Sequence, residues 1–124
     1  MICLPKGSEH AIQAAHNEGL LSEAILCSSP GIYCDWVVTI SFYAALHLVD
    51  RFLAEKHNCI DIGTHDRRRS LMSTHLSSGR YNIFTMYETL QNDSRRARYD
   101  CATVTEQNAK DARSLLNQMK AKLK

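Results

Sequence analysis

Apolar positions along the chain recur at helical spacing in five segments separated by punctuation residues. In the first, over about 8–27, Ser8 is the expected N-cap with Glu9 in the first turn. Ile12, Ala15, Leu20, Ala24 and Cys27 form its apolar stripe, and Ser28-Ser29-Pro30-Gly31 stops it. The second, about 33–57, is apolar on nearly every side and is predicted to be the central, most enclosed helix. Thr64 caps a third, about 64–78, with Asp66 in its first turn and Gly79 at its end. The fourth, about 81–99, carries Ile83, Met86, Tyr87, Leu90, Ser94 and Ala97 on one face. Thr103-x-x-Glu106 has capping-box spacing and opens the fifth, about 103–123, where Ala112, Leu116, Met119 and Leu123 repeat. Only Trp36 to Ile40 is locally β-prone, and it sits inside a helical period. Long helices joined by short loops predict an all-α, up-and-down bundle of four to five antiparallel helices, a single domain over residues 1–124.

Polar residues interrupt this pattern at informative places. Trp36, Ile40, Tyr43 and His47 share one stripe of the second helix, so His47 is expected to point where core residues point, with Asp50 following at i+3. A buried histidine there needs a hydrogen-bond partner. The fourth helix runs into Ser94-Arg95-Arg96-Ala97-Arg98-Tyr99-Asp100. Arg98 lies one turn beyond Ser94 on the inward stripe, placed to pair with a buried acid or to bind an anion. A second cluster, Arg67-Arg68-Arg69, follows His65 in the third helix.

These clusters change the meaning of an ordinary composition. Of 124 residues, 44% are hydrophobic and 23% charged, which excludes a disordered chain or a fibre. The formal net charge of +2 by itself predicts no polyanion partner. Yet six of the fifteen basic residues are the arginines at 67–69, 95, 96 and 98, and the other nine face thirteen acidic residues. The chain is therefore mildly acidic with two concentrated arginine sites. The first eight residues read as no signal peptide, and the apolar stretch Trp36–Val49 falls short of the ~18 residues of a membrane span. The five cysteines are scattered, so reduced thiols and a cytoplasmic location without membrane contact are expected.

Three blocks resemble a known family. Asp35-Trp36-x-x-Thr39-x-x-Phe42-Tyr43-Ala44-Ala45-x-His47 is similar to the second-helix signature of HEPN-like proteins, small bundles named for higher-eukaryote and prokaryote nucleotide-binding domains. Thr64-His65-x-x-Arg68 and Tyr87-x-x-Leu90-x-x-x-Ser94-Arg95-x-Ala97-Arg98-Tyr99 resemble the blocks that follow, so the resemblance spans about residues 10–123. It implies a five-helix fold, a homodimer, and for some members a separate nucleotidyltransferase partner in a toxin–antitoxin pair. Many such domains are metal-independent ribonucleases built on an Arg, four to six residues, then a His. In that chemistry an imidazole moves the 2′-hydroxyl proton while Arg stabilises charge on the phosphate.

The required spacing occurs from Arg51 to His57 and from Arg68 or Arg69 to His75, but it is common by chance in a chain with nine arginines and six histidines. In the catalytic members the motif lies near the fourth helix, whereas Ser94 to Thr105 holds no histidine here. Arg69 and His75 are thus weak catalytic candidates. No Cys-x-x-Cys, His-Glu-x-x-His or Gly-rich phosphate loop is present, and no metal or other cofactor is expected. His10, His16, His47 and His65 could converge in a bundle core, although nothing in their spacing demands it. Cys34 reads as a packed thiol rather than a nucleophile.

Binding is better supported than turnover. Arg68, Arg69, Arg95 and Arg98 would face one groove if the third and fourth helices are neighbours, and RNA or a nucleotide would be the ligand. The competing expectation pairs them with Asp35, Asp50, Asp66 and Asp93 as internal structure. Tyr43, His47, Asp35, His65, Ser94, Arg95, Arg98 and Tyr99, with Arg68, form the polar set expected to cluster.

Overall fold

One helix carries the most apolar stretch of the chain, and the others are arranged around it. The computed structural model describes residues 7–21, 33–59, 62–76, 82–99 and 104–123. Among these, five helices occur and no strand: α1 Gly7–Leu21, α2 Cys34–His57, α3 His65–His75, α4 Ile83–Tyr99 and α5 Glu106–Lys122. The protein is an all-α bundle. Helices α1, α4 and α5 each pack on α2, α5 also touches α4, and the backbone of α3 leans on α4. Gly7 lies against Glu55 and His10 against His47, so α1 and α2 run antiparallel.

The sequence of α2 explains its place. Fourteen of its 24 residues are buried, more than a single face can supply, so it is enclosed from several sides. Phe42, Val49 and Leu53 are fully shielded, and each large side chain so buried is worth roughly 1.5–3 kcal/mol. By length and composition alone α2 would qualify as a membrane-crossing helix, a correction to the short apolar stretch read from the sequence. Within the bundle 72% of its most apolar window is buried, as a core helix requires. Asn58 ends it with a left-handed backbone, φ 55°, which asparagine tolerates better than most residues.

Two apolar stripes are corrected. On α1, Ile12 is 70% exposed and Ala15 and Leu20 are also exposed, while Gly7, Ala14 and Leu21 are buried. The inward stripe is Gly7, His10, Ala14, Asn17 and Leu21, spaced 3-4-3-4, and its small residues let α1 approach α2 closely. Ala24 and Cys27 lie outside the described residues. On α2, Trp36 is 55% exposed and Ile40, Tyr43 and His47 are half-buried. A helix apolar all round gives periodicity little power to choose its buried side. Tyr43 and His47, which are amphipathic, take the seam, where their polar atoms meet Arg98 and His10.

The α4 and α5 stripes are as expected: Ile83, Met86, Tyr87, Leu90 and Ser94 are buried, with Ala97 half-buried, and so are Ala112, Leu116, Met119 and Leu123. Thr64 caps α3, accepting from the Arg67 amide at 3.0 Å. Two caps differ. Ser8 lies inside α1, which already includes Gly7. α5 is opened not by Thr103, outside the described residues, but by Thr105, which exchanges reciprocal hydrogen bonds with Asn108 at 3.1 and 3.0 Å. Glu106 serves instead as the first-turn acid. Replacing the cap, Thr105→Ala, is expected to cost about 1 kcal/mol in a urea unfolding titration, with the slope of the transition unchanged.

Candidate functional site: a polar seam between α1, α2, α3 and α4

The seam is organised around a carboxylate that α2 carries into the core. Asp50 is 2% exposed, and Arg68 of α3, 6% exposed, meets it with two parallel hydrogen bonds: Nε to Oδ1 at 2.6 Å and Nη2 to Oδ2 at 2.8 Å. This bidentate geometry satisfies one face of each charged group at once. Burial by itself would favour neutral Arg68, but the hydrogen bonds and charge of Asp50 outweigh it and hold the guanidinium protonated, above its ordinary range. Tyr87 lies beside the pair. Burial pushes its phenol up against the opposing pull of Arg68, and its hydroxyl has no hydrogen bond of good geometry among the described residues.

Two histidines lie near this pair. His47 lies one turn before Asp50 on α2 and meets His10 of α1, Nδ1 to Nδ1, at 3.0 Å. Burial lowers its pKa below 6.5, and His10 and Arg68 lower it further against the pull of Asp50. His65, in the first turn of α3, lies 3.4 Å from Arg68 Nη1. Its pKa is lowered first by burial and then by Arg68, Arg95 and Arg98, so α4's arginines reach the same neighbourhood.

Arg98 is held differently from Arg68. Nη1 donates to the Tyr43 hydroxyl at 2.7 Å, Nε donates to the Ser94 carbonyl at 3.2 Å, and the guanidinium lies 5.4 and 5.0 Å from the Tyr43 and Tyr99 ring centres. Tyr99 itself is 71% exposed. Arg95 and Arg96 are exposed. Among the described residues no carboxylate pairs with Arg95 or Arg98.

The structure therefore brings together His47, His65 and Arg68 around Asp50, and Tyr43, Arg98 and Tyr99 beside them. Ser94 joins through its carbonyl, while its buried hydroxyl finds no partner among the described residues. Asp35 contributes a backbone carbonyl to Thr39 rather than a carboxylate to the cluster. Arg68 is committed to Asp50, so the single groove of four arginines does not form. Arg69 turns to Glu88 at 3.4 Å on the surface. His75 lies at the other end of α3, its ring stacked on His57 at 4.0 Å, and Arg51 donates to the Leu123 carbonyl at 2.7 Å. His10 is the seam residue that the apolar pattern of α1 hid, and the 3-4-3-4 spacing from Gly7 is the signal that finds it.

Removing one partner of the buried pair leaves an isolated charge, so Asp50→Ala or Arg68→Ala is expected to cost about 3–5 kcal/mol in chemical denaturation. The double variant Asp50→Leu/Arg68→Met should recover much of that loss. His65 gives a pH signature: its folded pKa lies below 6.5, so the unfolded chain takes the proton first. Its contribution is complete above about pH 6.5 and declines as the pH falls through that value toward the folded pKa. A His65→Gln variant should flatten that part of the Tm profile. Comparison with protein-family models, curated proteins and solved structures finds no match to this chain.

Proposed function

We propose that this protein is a non-catalytic, HEPN-like module that binds RNA or nucleotide phosphate at the α4 end of the seam. The observation that carries the reading is the state of Arg98: a guanidinium oriented by the Tyr43 hydroxyl and the Ser94 carbonyl, between two aromatic rings, with no carboxylate partner among the described residues. Arg95 adds a second exposed cation, and exposed Tyr99 offers a ring on which a base can stack. Arg68 and Asp50 serve as the scaffold beneath it.

A metal-independent ribonuclease is the second reading, favoured by the stacking of His57 on His75, which brings the ends of both Arg-to-His spacings together. The engagement of Arg51 by the Leu123 carbonyl and of Arg69 by Glu88 weighs against it.

Fluorescently labelled single-stranded RNA, titrated at several salt concentrations, tests both. Affinity should fall with salt, and Arg98→Ala or Arg95→Ala should each reduce it by about tenfold and lower the salt slope by about one. Bound phosphate should also raise the His65 NMR titration midpoint, since a nearby anion favours the imidazolium. Absence of binding at low salt would leave these arginines a purely structural role. RNA cleavage without metal, abolished by His75→Ala, would favour the second reading.

A further inference from the structure

We propose that His10, His47 and Asp50 form a binding site for one divalent transition-metal cation of the zinc class. The site is independent of the anion-binding reading and draws its ligands from α1 and α2.

The first support is the approach of the two imidazoles. His10 Nδ1 and His47 Nδ1 face each other at 3.0 Å across the α1–α2 interface. Without an ion, one ring must carry its proton on Nδ1 and donate to the other. With one, the donor ring takes its other tautomer, its proton on Nε2, and both Nδ1 lone pairs are free for the metal. Two ligands about 2.0–2.1 Å from Zn2+ lie roughly 3.0–3.4 Å apart, so the observed separation already suits chelation. The rings are tilted by 33°, with centroids 5.2 Å apart.

The second support is the third donor. One ligand atom from each of His10, His47 and Asp50 can be chosen so that all three lie within 4.8 Å of one another. Closing that span to metal-ligand distances takes about 1 Å of side-chain movement. Arg68 occupies one hydrogen-bonding position on each Asp50 oxygen, and an ionised carboxylate offers about four, so an oxygen remains available to a metal. The guanidinium then acts as an outer partner that fixes the carboxylate's orientation. Both histidines are half-buried rather than sealed, so the site is reachable from solvent, and water would supply the fourth ligand.

Two imidazoles and one carboxylate suit Zn2+, Co2+ or Ni2+ better than the oxygen-seeking Ca2+ or Mg2+. Because Arg68 already shares the negative charge of Asp50, the site should bind more weakly than a closed four-ligand structural zinc site. Neutral imidazoles are the ligating form, so protonation of either ring competes with the metal and binding should weaken in acid.

The test uses the full chain, stripped with a chelator and titrated with ZnCl2 by calorimetry, with Co2+ absorption as a second readout. One Zn2+ per chain is expected, together with a Tm that rises with zinc concentration and a Co2+ spectrum of low coordination number. His10→Ala and His47→Ala should each weaken binding at least tenfold. His16→Ala, at an exposed position on α1, and the double variant His57→Ala/His75→Ala should bind as wild type. His10 is half-exposed, so its variant keeps the test meaningful even if His47→Ala fails to fold. Absence of heat and of any Tm shift up to millimolar zinc overturns the proposal. So does binding that survives His10→Ala, or that is lost only with His57 and His75.

Discussion

The bidentate bond between Asp50 and Arg68 is the constraint around which the polar seam is arranged. α2 packs too many apolar side chains to expose Asp50, and a carboxylate taken that far from water needs a full-charge, well-oriented partner. Arg68 reaches it from α3 with two parallel donors. Side chains therefore bridge α2 and α3, while the backbone of α3 leans on α4. Once Arg68 is fixed, His65 sits three residues earlier on the same helix face, and its ring is brought 6.4 Å from Phe42 and under the influence of Arg95 and Arg98. His47, one turn along α2, is drawn into the field of the same pair.

The two arginine clusters therefore have different fates for a physical reason. In α3, Arg68 alone faces inward, because Arg67 and Arg69 are rotated about 100° to either side of it. Inward, it meets Asp50; outward, Arg69 meets only the surface Glu88, a pair worth little in water. In α4, Arg98 occupies the inward stripe one turn after Ser94 but stops at the seam, where the partner offered by α2 is Tyr43 rather than an acid. A phenol orients the guanidinium without neutralising it. One arginine is paired with a buried carboxylate and the other has none beside it among the described residues, although both occupy comparable positions in their sequence runs.

Much of this was legible in the sequence where apolar and polar residues alternate cleanly. α4 and α5 carry strongly one-sided patterns, and their buried residues followed directly. α2 was legible as the central helix but not in its rotation, because a helix apolar on every side offers no contrast; Trp36 is exposed as a result. α1 misled in the opposite sense. Its outward face holds the large Ile12 and Leu20, while its inward face is built from Gly7, Ala14, His10 and Asn17 with only Leu21 as a large anchor. Close helix packing selects small residues, and a hydrophobicity pattern reads small residues as weak signal. The pairing of Arg68 with Asp50, rather than with a ligand, turned on distance in three dimensions, which helical spacing within one element cannot supply.

The position of Arg98 also sets how an anion would have to be held under the proposed reading. Arg96 and Arg98 lie in the last turn of α4, where cations complement the negative end of the helix dipole and stabilise the fold before any ligand arrives. Anion sites made from helix N-termini draw on backbone amides and survive many side-chain changes. At a C-terminus the backbone presents carbonyls, which repel phosphate, so attraction must come from the guanidinium groups themselves and exceed that repulsion. Recognition at this end of α4, as proposed, would therefore be concentrated in few side chains and demand that they be pre-positioned. The Tyr43 hydroxyl supplies that positioning from α2, the helix that also carries Asp50, tying the exposed arginine to the same rigid element that buries the other.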